Sequence, residues 1–138
     1  MVDRDIVQAK VAIVQRCLKR IKNVTGLDPS KLDDLDTQDI FALNLQRAVQ
    51  ATIDLAAHVV GAEGLGLPRD LRENFRFLAN NRIISQELCV RMEKMVGFRN
   101  IAVHEYQTLD IEVLKSILSG NLRDLENFYA ALIEHFGV

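Results

Sequence analysis

The chain has no tryptophan, two prolines, two cysteines and seven glycines in 138 residues. Each shortage excludes something. All-β sandwiches and barrels turn every few residues and draw on Pro and Gly to do so, and this chain has too few of both. With six Phe and two Tyr, its core must be mainly aliphatic. Cys17 and Cys89 are too far apart for a Cys-x-x-Cys motif, and two thiols make no disulfide framework. They read as reduced core residues of a cytoplasmic protein. No run of about 18 apolar residues occurs, so no membrane span is expected. Met1-Val2-Asp3-Arg4-Asp5 is charged from its third residue and lacks the apolar segment of a secretory leader. No His-rich or carboxylate-rich ligand set is visible, so no metal and no other cofactor is expected.

What is present is helical periodicity. At this length the chain should form one domain, residues 1–138, around one core. Ile6, Val7, Val11, Val14, Leu18 and Ile21 recur at steps of three and four, which predicts a helix over about residues 4–24. Thr25-Gly26 stops it, and Asp28-Pro29-Ser30 is turn chemistry. Thr37 is placed to cap a second helix running from about Gln38 to Val60, with Asp39 at its positive end. Its apolar surface, Phe41 to Val60, is wide enough to require burial between several helices. The glycine-rich stretch Gly61 to Pro68 follows a helix and lacks the Lys-Ser/Thr of a phosphate loop, so it reads as a connection. A short helix over Arg69–Ala79 ends at Asn80-Asn81. Ser85 caps a helix starting at Gln86, Asp110 caps another, Gly120-Asn121 interrupts, and Leu122–His135 forms the last. The fold class is all-α, a helical bundle with short connections.

Net charge is −2, which does not advertise a polyanionic partner. The distribution is uneven, however. Lys10 to Lys22 carries five basic residues and no acid, Asp28 to Asp39 five acids and one base, and Glu105 to the C-terminus six acids and two bases. Such runs are ordinarily solvated helix faces. The alternative is a basic face that meets nucleic acid and an acidic face that meets a partner.

Chemistry concentrates in Gly97-Phe98-Arg99-Asn100-Ile101-Ala102-Val103-His104-Glu105-Tyr106. Arginine clamps phosphate oxygens in a bidentate fork, histidine exchanges protons near neutral pH, and tyrosine offers a hydroxyl. That combination suits phosphodiester chemistry. A continuous helix would set Arg99 and His104 about 140° apart, on different faces. They converge only if the helix bends or ends near Asn100 to Val103, or if two copies of the stretch complete each other across a two-fold axis. Elsewhere, Asp54 and His58 are four apart and so share a helix face, where a carboxylate can orient an imidazole. This is either a structural pair or a support for the site or a dimer contact. Taken from the residues alone, the central stretch could also be a polar cluster closing a helix end.

Arg, four residues, His, one residue, Tyr, led by Gly-Phe-Arg-Asn, resembles the signature of HepT-like toxins of the HEPN superfamily. The resemblance runs along nearly the whole chain, with Asp54 and His58 at matching places. It implies a HEPN-type bundle that pairs as a homodimer so that both motifs line one cleft. It further implies a metal-independent endoribonuclease toxin whose products carry a 2′,3′-cyclic phosphate. His104 would be the general base or acid, Arg99 would hold the phosphate, Asn100 would position these groups, and Tyr106 would orient RNA. A neighbouring MntA-type nucleotidyltransferase antitoxin would attach AMP to Tyr106. The competing readings are a non-catalytic module of this kind that binds nucleotide or RNA, and a helical adaptor.

Overall fold

The computed structural model describes residues 1–138. Six α-helices follow in order: α1 (Arg4–Thr25), α2 (Leu35–Ala62), α3 (Leu71–Asn80), α4 (Gln86–His104), α5 (Ile111–Ser116) and α6 (Leu122–Phe136), with no strand. Short 3-10 turns at Pro29–Asp33 and Tyr106–Thr108 join α1 to α2 and α4 to α5. No helix is long and apolar enough to cross a membrane.

Helix α2 is the centre. Phe41, Leu45, Ala48, Ile53, Leu55, Ala56 and Val59 are almost fully buried along it, and α1, α3, α4 and α6 all pack against it. Helix α1 lies antiparallel to α2. The Met1 amino group donates to the Ala62 carbonyl at 2.8 Å, the Asp3 N–H to His58 Nε2 at 2.9 Å, and Lys10 Nζ to Asp54 Oδ2 at 3.1 Å. Phe75 on α3 meets Phe128 on α6 edge to face, with centroids 5.3 Å apart. Buried Asp124 on α6 accepts from Arg91 on α4 at 3.1 Å, so this buried carboxylate is paired. Cys17 and Cys89 are buried and unpaired, and burial raises the thiol of Cys89 to about 11.

Helix boundaries differ from the sequence reading in two instructive places. The cap of α2 is Asp34, not Thr37. The Asp34 carboxylate accepts from the Thr37 N–H at 3.0 Å and from its hydroxyl at 2.9 Å, which pulls three more residues into the helix. A carboxylate facing the orphan N–H groups of a first turn does the work of a hydroxyl and adds a favourable charge. Gly120-Asn121, expected as a break, sits inside a π-helical turn, Ile117–Asn121, that carries α5 into α6. Ile117, Leu118 and Leu122 are buried there, and that packing outweighs the weak helix propensity of Gly and Asn. Ile6, assigned to the apolar side of α1, stays 39% exposed.

Candidate active site

The Gly97–Tyr106 stretch crosses the end of a helix. Helix α4 starts at the Ser85 cap, whose Oγ accepts from the Leu88 N–H at 3.0 Å, and runs unbroken through His104. Phe98 and Ala102 point into the core and anchor it. Glu105 leaves helical geometry, and Tyr106 opens the 3-10 turn that follows. Helical spacing therefore keeps Arg99 and His104 on different sides, about 140° apart, and one copy does not bring them together.

Arg99 is half-buried, and its guanidinium is held by amides. Its Nε donates to Gln50 Oε1 at 2.9 Å and its Nη1 to Asn100 Oδ1 at 3.1 Å. Gln50 turns its other end to Asp54, with Nε2 donating to Oδ1 at 2.9 Å, and the second Asp54 oxygen takes Lys10. The result is a chain of contacts from α4 through α2 to α1. Arg99 forms no ion pair: the Asp54 carboxylate stops one amide short and is matched by Lys10. A guanidinium oriented by neutral acceptors keeps its full charge for an incoming anion.

His104 is exposed at the last position of α4, and its side chain makes no hydrogen bond within the chain. Its ring is free to exchange protons with a bound molecule. Asn100 stands beside Arg99 and is tied to it. Asp54 and His58 share a face of α2 as the spacing implies, but they do not pair. Asp54 joins the Arg99 network, while His58 Nε2 accepts the Asp3 N–H and so fastens the start of α1.

Two contributors escaped the sequence reading. Gln50 is the direct holder of Arg99, and its only local signal was the Gln50–Asp54 spacing of four. Asp39, read as a helix-end charge, accepts the Tyr106 hydroxyl at 2.5 Å across 67 residues of sequence. No local pattern signals a contact of that separation. Partial burial, then the hydrogen bond and charge of Asp39, push the Tyr106 phenol up to about 12. It stays a neutral donor at physiological pH.

A phenol pKa raised in the fold means the native state holds that proton more tightly than the unfolded chain. The resulting stability is complete below about pH 10, the ordinary phenol value. It is lost as pH rises through about 12. Asp39→Asn should therefore move the Tyr106 titration part of the way down, burial remaining. Tyrosinate absorbance in a Tyr129→Phe background measures it, and an unchanged titration would detach Asp39 from Tyr106.

Comparison with known proteins places this geometry in a family. The family model described as Ribonuclease HepT-like matches residues 14–132. The chain is 42% identical over 124 residues to the mRNA nuclease HepT of Shewanella oneidensis, covering 90% of this chain and 93% of that one. It is 27% identical over 106 residues to the tRNA nuclease HepT of Aphanizomenon flos-aquae, covering 76% and 72%. Among solved structures it is similar to the tri-AMPylated Shewanella oneidensis HEPN toxin in complex with MNT antitoxin. The TM-score there is 0.89, with 41% identity over 96% of this chain and 99% of that one. The chain belongs to the HepT-like ribonuclease family.

Proposed function

We propose that Arg99 and His104 of this endoribonuclease toxin cut RNA without a metal, by a transfer within the strand. A ribose 2′-OH attacks the neighbouring phosphorus, the bond from phosphorus to the 5′-oxygen breaks, and the fragments end in a 2′,3′-cyclic phosphate and a 5′-OH. His104 takes the 2′-OH proton or gives one to the leaving oxygen. Arg99 holds the phosphate and stabilises the charge that builds on its oxygens. Asn100 keeps the guanidinium aimed, and Tyr106 orients the strand. The observation that carries this reading is Arg99 itself, half-buried, fixed by Gln50 and Asn100, and without a carboxylate to neutralise it. The reaction needs a proton carrier and an anion clamp, and both are supplied by side chains. An RNA substrate fits the cytoplasmic setting expected from the sequence.

The working unit is a homodimer with the Arg99–Tyr106 stretches near the two-fold axis. Unbroken α4 supports this, because a second copy can set its own His104 opposite Arg99. So do Ile101 and Val103, which lie within the motif yet stay 44% and 42% exposed. Apolar side chains flanking a polar site are what a partner copy covers.

The partner that silences the toxin is a MntA-type nucleotidyltransferase antitoxin, as the relative's complex with MNT antitoxin supports. Tyr106 is the residue it modifies. The phenol stands 42% exposed at the rim, its hydroxyl held neutral by Asp39. AMP attached there would bring a phosphodiester charge and a bulky nucleoside to the place where substrate lies, and Arg99 would pair with that charge.

His104→Ala should lower RNA cleavage by about 10²–10⁴-fold with the helical circular dichroism unchanged, and wild-type cleavage should persist in EDTA. A folded, fully active His104→Ala protein would remove His104 from the mechanism. Loss of cutting in EDTA restored by a divalent ion would end the metal-free route.

Light scattering should give twice the chain mass. A stable monomer that cuts RNA would break the dimer assignment.

After incubation with the antitoxin and ATP, mass spectrometry should find the AMP adduct on Tyr106. An adduct confined to Tyr129 or to a serine would refute that site.

A further inference from the structure

The mechanism uses one arginine and leaves the other cations unassigned. Several of these are neutralised in the fold. Arg69 pairs with Glu73, Arg76 with Glu93, Arg91 with Glu87 and Asp124, and Lys115 with Asp33. Arg16, Arg20 and Arg47 form no ion pair at all. They stand, with Lys10, around an open groove of about 700 Å³ between α1 and α2. Ile13, Ile40 and Leu43 line its apolar part.

The position of this groove is informative. Helices α1 and α2 are antiparallel, so Lys10 lies at the end marked by Gln50 and Asp54, and Arg20 at the end toward Ile40. Gln50 is also the holder of Arg99, and Asp39, one residue before Ile40, is the holder of Tyr106. The same segment of α2, rising about 22 Å from residue 39 to 54, therefore has the groove along one flank and the motif stretch along the other.

The charges are also costly to the free protein. Arg16 and Arg20 are four apart on one face of α1, a spacing at which like charges repel. Arg47 faces the same groove from α2 and adds to the repulsion. No acid forms an ion pair with any of the three, and the one carboxylate lining the groove, Asp54, is taken by Lys10. A ligand with regularly repeated negative charge relieves the repulsion, and guanidinium groups match phosphate oxygens in a bidentate fork. No aromatic side chain lines the groove, so base stacking adds little, and binding follows the backbone rather than the sequence.

We infer that the α1–α2 groove is the track of the substrate strand, a single-stranded RNA whose phosphates are held by Arg16, Arg20 and Arg47 beside Lys10, leading toward Arg99. The inference rests on the ribonuclease reading above and extends it to residues outside the motif. Continuity with Arg99 through Gln50 favours RNA over an acidic protein segment.

The test is binding of a fluorescent single-stranded RNA oligonucleotide, by anisotropy over a range of salt, in a His104→Ala background that leaves the strand uncut. Arg16→Gln with Arg20→Gln should weaken binding about tenfold or more, and should flatten the slope of log affinity against log salt by about 1.4. Arg47→Gln alone should act in the same direction by about half in slope, and it serves if the double variant misfolds. Arg123→Gln, on α6 and away from the groove, should change neither quantity. Folded groove variants with unaltered affinity and slope would overturn the inference. So would variants that change self-association or antitoxin binding while RNA binding stays intact, since the groove would then take a protein. Wild type that binds RNA through the groove but does not cut it would defeat the ribonuclease mechanism and leave the groove standing. Wild type that cuts, with groove variants that bind as well as it does, would do the reverse.

Discussion

Helix α2 has to be apolar around most of its girth, because four other helices pack on it. The polar groups that contact α1 and the end of α4 lie mostly along one side of it. Asp39, Gln46, Gln50, Asp54 and His58 follow one another along that side at helical spacing, with Asn44 and Arg47 turned toward the groove. Tyr106 reaches Asp39, Arg99 reaches Gln50, Lys10 reaches Asp54, and the start of α1 reaches His58. The candidate site is thus a consequence of the core. Burying most of α2 confines these anchors to one side of the helix.

Electrostatic arrangement follows from which partners that side supplies. A glutamate at position 50, the same shape as Gln, would pair with Arg99 and leave less attraction for a phosphate. Gln50 satisfies the geometry without the charge, and passes the carboxylate's influence one residue further, where Lys10 meets it. Net charge of −2 conceals this local balance. Acids gather around α2's first turns and in the last third of the chain, several of them paired, while three arginines without ion pairs, Arg16, Arg20 and Arg47, line the α1–α2 groove.

In the mechanism proposed above, cleavage and its control would draw on the same few residues. Tyr106 lies two residues past His104, and the end of α4 places both outside the core. Its hydroxyl is engaged by Asp39 yet remains at the surface. On the proposed mechanism, a group added to that oxygen would stand in the way of the substrate. On that proposal one anion site would serve both catalysis and inhibition.

Periodicity, caps and breakers were enough to set the all-α class, the order of the helices and most of their ends, because those depend on near neighbours in the chain. The Ser85 cap and the Gly26 stop are local hydrogen-bond and backbone effects, and they lie where the residues imply. The motif was legible for the same reason, as a short string of chemically distinctive residues, and its resemblance to HepT-like toxins agrees with the family match. Three features were decided only by packing over long distances. Buried Ile117, Leu118 and Leu122 held Gly120-Asn121 helical against their propensity. The partners of Arg99 and Tyr106 came from α2, 49 and 67 residues away. Asp54 and His58, adjacent on one face, were drawn apart by Lys10 and by the Asp3 N–H. Spacing along a helix determines which side a residue faces, and only the neighbouring helix determines what it meets there.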